Sequence, residues 1–224
     1  MSTDAPQISA TPPQNLNPRY TDVMIDVEGL SENSDACPYE IALVFFMRDD
    51  PSAPFGLHTY FPSPESGFAL ELTSSQSTQL WMLSREITVD YDTGMPIREV
   101  LEQIRCDLTK RAVPLDALRI WARGTDYDIS ILNLAYRRIS QEPPWQYWKT
   151  RDVRTYLEAC RYTSPRKNTH RALEDALNQA RDVIDATFSR HFTHILESKD
   201  ASPGTIKKPG SPIPRFTWNT PAQP

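Results

Sequence analysis

Apolar residues crowd first into two runs, residues 20–27 (YTDVMIDV) and 40–47 (EIALVFFM), which read as buried strands. The polar stretch 28–38 between them reads as a turn, and residues 56–61 (GLHTYF) as a third strand, so the chain opens with an antiparallel meander. Helical spacing follows over residues 75–85 and 96–111, with Pro96 placed at a first turn, where it needs no hydrogen bond. Residues 118–122 (LRIWA) make a short strand. Residues 126–139 carry Ile129, Leu132 and Ile139 at helical spacing, and Pro143 and Pro144 break that pattern. A short extended piece at 147–151, a helix over 153–161 and a long helix over 169–197 complete the chain. Three strands followed by strand–helix alternation predict an α/β fold: a mixed sheet, three antiparallel strands and then parallel ones, flanked by helices.

The long helix has an unusual opening, THRALEDALNQARDVI from Thr169. Leu173, Ala176, Leu177, Ala180, Ile184 and Phe188 make its apolar stripe. Asp175 lies beside that stripe, and a carboxylate near a core is costly unless a charge compensates it. His170 and Asp175 are five residues apart, about 500° of helical rotation, so within a regular helix they would not share a face. They converge only if His170 precedes the helix proper. Residues 164–169 (SPRKNT) are loop-like, with Asn168 or Thr169 available as a cap.

Composition narrows the class. The chain has 224 residues, and ten of its twenty prolines fall in residues 1–18 and 201–224, which also lack apolar periodicity. Both ends read as disordered tails around one folded unit at 19–200. No apolar run is long enough for a signal peptide or membrane span, and three scattered cysteines (Cys37, Cys106, Cys160) suit reduced thiols of a cytoplasmic protein rather than a zinc site. A net charge of −5 argues against coating nucleic acid by charge alone. Locally the balance reverses: residues 149–171 hold seven basic residues against two acids. That strip is either a solvated face or a track for phosphates.

The acids carry the candidate chemistry. Asp26 and Glu28 stand two apart at the end of the first strand, so their side chains share a face, and paired carboxylates on a rigid strand suit a hard divalent cation. Gly124-Thr-Asp-Tyr-Asp128 lies where a strand gives way to a helix. Asp126 fits an N-cap there and Asp128 a first-turn acid, which leaves one carboxylate beyond what capping requires.

Taken together, Asp26-Val-Glu28, Gly124-Thr-Asp-Tyr-Asp-Ile-Ser-Ile-Leu132 and His170-Arg-Ala-Leu-Glu-Asp-Ala176 resemble the motifs of the DEDDh branch of the DnaQ-like 3′→5′ exonucleases, which have an RNase H-like fold. Trp148-Lys-Thr-Arg-Asp-Val-Arg-Thr155 and Ser77-Thr-Gln-Leu-Trp81 are similar to segments of the phage exodeoxyribonuclease A type, itself related to a bacterial exoribonuclease group. The resemblance spans about residues 22–195. It implies four metal-binding carboxylates at Asp26, Glu28, Asp128 and Asp175, with Asp128 chosen over Asp126 because it directly follows the aromatic residue. It also implies a general base at His170, on a mobile loop. Many relatives have His-Asn where this chain has Arg123-Gly124, a departure that bears on substrate positioning.

The expected function is therefore a two-metal 3′→5′ exonuclease, using Mg²⁺ (Mn²⁺ also serving) to release nucleoside 5′-monophosphates. The phage-type likeness points to single-stranded DNA ends, with short RNA or RNA 3′ ends as the alternative. Leu30 is expected to wedge near the terminal nucleotide, Trp81 to stack on a base or pack in the core, and Arg166 and Lys167 to contact the backbone. Arg151 and Asp152 either pair with each other or steer a phosphate, and Tyr127 is expected to pack. Relatives are often dimers, so a homodimer is open. The rivals are a binding module that has lost its chemistry and a structural domain with coincidental acids.

Overall fold

The computed structural model describes residues 19–89, 91 and 93–199, so the expected tails at 1–18 and 201–224 lie outside the described residues. A five-stranded sheet runs through the molecule in the order β3-β2-β1-β4-β5. Strands β1 (Asp22–Gly29), β2 (Pro38–Phe46) and β3 (Gly56–Tyr60) form the antiparallel meander. Strands β4 (Arg119–Ala122) and β5 (Thr150–Asp152) add in parallel beside β1. This is the mixed sheet that the sequence pattern predicts, and it is flanked by helices on both faces.

Alternation along β1 separates two cores. Val23, Ile25 and Val27 face a larger core with Ile41, Leu43 and Phe45 of β2 and the apolar faces of α3 (Ile97–Arg111) and α4 (Asp128–Arg138). Two shorter helices, α1 (Pro64–Phe68) and α2 (Gln76–Ser84), lie between β3 and α3 in the chain; α1 escapes sequence reading because one turn has no periodicity to show. Met24 faces the second core with Ala42, Val44, Phe46 and Trp121, beneath α5 (Val153–Ala159) and α6 (Ala172–Lys199). Each fully buried aliphatic or aromatic side chain contributes about 1.5–3 kcal/mol, so the two faces hold the central strand firmly.

The expected stripe of α6 is met in part, Ala176, Ala180 and Ile184 being buried, but the face is rotated. Ala172, Ala176, Ala180, Val183 and Ala186 meet the sheet, while Leu173 and Leu177 pack at its edge, only partly buried. Small side chains let the helix lie close to β1 and β2, and rotating the stripe toward them brings Asp175 and Gln179 to the buried side. Helix α6 also begins at Ala172, later than expected, so neither Asn168 nor Thr169 caps it. The capping expected of Asp126 is likewise absent. Tyr127 is the N-cap of α4, with no side-chain bond, and Asp126 is exposed.

Candidate active site

Asp26 and Glu28 stand on the α6 face of β1, near the end of the strand. β1 pairs with β4 only through Met24, because β4 ends at Ala122. Beyond that point β1 needs new acceptors on its open side, and the Val27 N–H donates to Asp128 Oδ1 (2.9 Å) from the first turn of α4. Asp128 is thereby drawn, buried, under the strand end. From the opposite side α6 brings Asp175. Carboxylate oxygens of Asp26, Glu28 and Asp175 all lie within 4.8 Å of one another.

Asp175 also organises the chain before α6. Its Oδ1 accepts from the Thr169 N–H (2.8 Å) and the Thr169 hydroxyl (3.1 Å), and its Oδ2 from the His170 N–H (2.9 Å). His170 sits outside the helix in the left-handed region, at φ 59°, a conformation that costs a non-glycine residue about 1 kcal/mol or more. The imidazole meets Trp81 of α2 edge-on, ring centroids 4.8 Å apart. His170 and Asp175 thus converge in the one way their spacing allows.

The carboxylates disturb one another. Burial first, then Asp128 and Glu28, raise the Asp26 pKa well above the ordinary carboxylate range. Glu28 is pushed up to about 8, by burial and then by Asp175 and Glu40. Asp128 is pushed up to about 7, mainly by burial, with the Val27 N–H acting the other way. Near neutral pH such a cluster is not fully ionised by itself. Cations among the carboxylates would relieve it, and an all-oxygen donor set of this spacing fits Mg²⁺ or Mn²⁺.

Two grooves meet at Glu28 and His170. One, of roughly 480 Å³, joins Asp26, Glu28, Asp128 and His170 to Arg123, Arg154, Asn168 and Gln179. The other, of roughly 610 Å³, runs between Glu28, Gly29, Ser31, Ser77, Thr78, Trp81 and Tyr127. Tyr127 does more than pack: its hydroxyl donates to the Ser31 carbonyl (2.7 Å), and a Cβ at Gly29 would lie 2.7 Å from that hydroxyl, so only glycine fits. Gly124, at φ 123°, turns the chain out of β4, its N–H donating to Asp152 Oδ2 (3.1 Å).

The expected substrate residues separate. Leu30 is corrected: it is fully buried in the larger core and offers nothing to a nucleotide. The β1 register shifts between Glu28 and Gly29, which sends Leu30 inward. Trp81 is half-buried and lines the second groove. Arg166 borders the first groove, but its guanidinium is paired with Asp182 and with Asp185 (2.8 Å), tying the His170 loop to α6. Lys167 and Arg151 are exposed and line neither groove; Arg151 donates to the Trp148 and Thr150 carbonyls. Among the described residues Asp152 pairs with no arginine; it caps α5 through the Thr155 N–H (2.8 Å). Sequence reading met Arg154 only as part of the basic strip and Arg123 only as a departure from the family pattern, and it missed Gln179 and Glu40. Gln179 was detectable one turn after Asp175, whereas Glu40 emerges only from its pairing opposite Glu28.

The fold is RNase H-like, a mixed five-stranded sheet flanked by helices. The sequence model of the 3′-5′ exoribonuclease Rv2179c-like domain matches residues 21–186. The chain belongs to that family and is a 3′→5′ exonuclease acting on nucleic acid. The RNase domain of the yeast Pop2 protein superposes with a TM-score of 0.52 at 13% identity, over 76% of this chain and 78% of that one, a likeness of fold. Cell-death related nuclease 4 (CRN-4) aligns at 14% identity with a TM-score of 0.47, over 76% of this chain and 64% of that chain. No curated protein matches. Among the described residues no helix is long and apolar enough to cross a membrane.

Proposed function

We propose that this exonuclease shortens single-stranded RNA from its 3′ end, releasing nucleoside 5′-monophosphates, with Asp26, Glu28, Asp128 and Asp175 holding two divalent cations and His170 as general base. One observation carries the reading: three carboxylates from two elements converge within 4.8 Å, and one of them also holds the backbone of the histidine. Bound there, Mg²⁺ would supply an activated water and charge stabilisation at the attacked phosphorus. The imidazole, on a loop outside the carboxylate cluster, takes a proton from the attacking water. Arg154 and Arg123, on the wall of the first groove, attract the phosphates of the strand. Trp81, Ser77 and Thr78 give the second groove an aromatic and hydroxyl-bearing wall suited to a nucleoside. RNA is favoured over the DNA implied by the phage-type likeness because the family is one of exoribonucleases.

The test is a nuclease assay on matched 5′-labelled RNA and DNA strands with Mg²⁺, with Mn²⁺ and with chelator, beside Asp175→Asn. The expected result is an RNA ladder shortening from the 3′ end, absent with chelator and in the variant. Faster loss of the DNA strand would restore the DNA reading. Binding of strands without divalent ions and without cleavage would leave only a binding module.

A further inference from the structure

Gln179 lies one helical turn beyond Asp175, on the same face of α6, and is 3% exposed. Its Nε2 donates to Asp26 Oδ1 at 2.7 Å, bridging α6 to β1 beneath the carboxylate cluster. Its Oε1 is buried and meets no hydrogen-bond donor, although the residue borders the first groove with Asp26, Glu28 and Asp128. Packing does not account for this amide. Its neighbours along the buried face are Ala176, Ala180 and Val183, and an apolar side chain of equal length would avoid leaving a buried carbonyl without a partner. Nor can the amide be turned over once a cation holds Asp26 in its ionised form, since Oε1 against that carboxylate would set two acceptors face to face. The donor end belongs to Asp26, and the carbonyl awaits a donor that no described residue supplies.

We propose that Gln179 is a positioning residue of the cation site. Its N–H anchors Asp26 Oδ1 and leaves Oδ2 for the cation, and its carbonyl accepts a hydrogen bond from a water carried by that cation. Partners of this kind fix the orientation of a ligand, and removing them typically weakens metal binding 10–100-fold. The inference rests on the reading of Asp26, Glu28, Asp128 and Asp175 as the cation ligands.

The test measures Mn²⁺ binding by calorimetry without nucleic acid, for the wild type, Gln179→Met and Asp26→Asn, together with melting temperatures in chelator. Methionine keeps the length and removes both polar groups. The expected result is Mn²⁺ bound about 10–100-fold more weakly by Gln179→Met, with melting in chelator at or above the wild-type temperature. A second arm needs no variant: the side-chain amide signal of Gln179 in the ¹⁵N-labelled wild type should shift with Mg²⁺ and saturate with the calorimetric isotherm. Wild-type Mn²⁺ affinity in Gln179→Met, or an amide signal unmoved at saturating Mg²⁺, would overturn the proposal. A wild type that binds no Mn²⁺ would overturn the cation reading itself, and this inference with it.

Discussion

The Asp175 carboxylate holds His170 by its backbone, Oδ2 accepting the His170 N–H at 2.9 Å. One side chain therefore joins the acidic cluster to the loop that carries the proposed base. Asp175→Asn removes the charge and exchanges one acceptor oxygen for a donor, so it should abolish hydrolysis and also free the loop. Tryptic cleavage after the exposed Lys167 should speed up in that variant. His170→Ala leaves the carboxylates intact and should lower kcat about 10²–10⁴-fold with Mn²⁺ affinity unchanged. Undiminished turnover would remove His170 from the role of base.

The cluster also dictates how stability responds to pH. Asp26, Glu28 and Asp128 are all raised in the folded chain, Glu28 to about 8 and Asp128 to about 7. Without cations the folded state then binds more protons than the unfolded state from roughly pH 4 upward, so stability is greatest at low pH and is lost as pH rises through the folded values. In chelator the melting temperature should fall between pH 5 and 8.5, by about 5 °C or more. Saturating Mg²⁺ should remove the fall, because the ion binds the deprotonated carboxylates. A profile that rises with pH in chelator would contradict this account.

Glu40 guards the start of α6. It stands opposite Glu28 in the β1–β2 register; burial raises its pKa, and the backbone N–H groups of Ala172 and Leu173, which face its carboxylate, work against that rise. The preceding residue, Arg171, has no side-chain acceptor for these N–H groups, so the first turn depends on a strand across the site. Glu40→Ala should destabilise the fold by about 1–2 kcal/mol, as loss of a cap does, and weaken Mn²⁺ binding by displacing Asp175. Glu40→Gln, which keeps an acceptor, should restore most of both; melting curves and calorimetry decide. Equal loss of Mn²⁺ affinity in both variants would mark Glu40 as a direct ligand instead.

Arg154 and Arg166 border the same groove and should behave in opposite ways. Arg154 is exposed, so Arg154→Ala should leave stability within about 0.5 kcal/mol while weakening RNA binding and reducing its logarithmic salt slope by about 0.7. Arg166 is paired with Asp182, whose side chain is 3% exposed, and with Asp185. Arg166→Ala strands a buried carboxylate, which costs about 3–5 kcal/mol. Its main effect should be a lower melting temperature, and unchanged melting would contradict the structural tie.

Much of this architecture could be read along the chain. The first four strands, and the helices long enough to show periodicity, stand close to where apolar spacing placed them, because burial of a repeating face leaves a local signature. The extended piece read at 147–151 is instead a 3-10 turn at Tyr147–Lys149 followed by β5. Asp26 and Glu28 share a face because strands have period two, and the five-residue interval from His170 to Asp175 demanded a break before the helix. Leu30 shows where such reasoning stops. It follows the acidic motif and looks available, yet a shift of register just before it turns the side chain into the core. The α6 stripe is met only in part for a related reason: Ala176, Ala180 and Ile184 are buried as expected, but Leu173 and Leu177 stay at the edge, because close approach to a sheet favours alanines.

The order of the elements, and the residue types suited to hold cations and move a proton, follow from the chain alone, since propensity, periodicity and chemistry are local properties. Which groups meet emerges only from packing: Gln179 with Asp26, Glu40 with the first turn of α6, Arg166 with Asp182 instead of a phosphate. Those pairings join segments far apart in the chain. Strand register, the rotation of α6 and the demand that buried polar groups find partners select them, and all three act only once the sheet and its helices have packed.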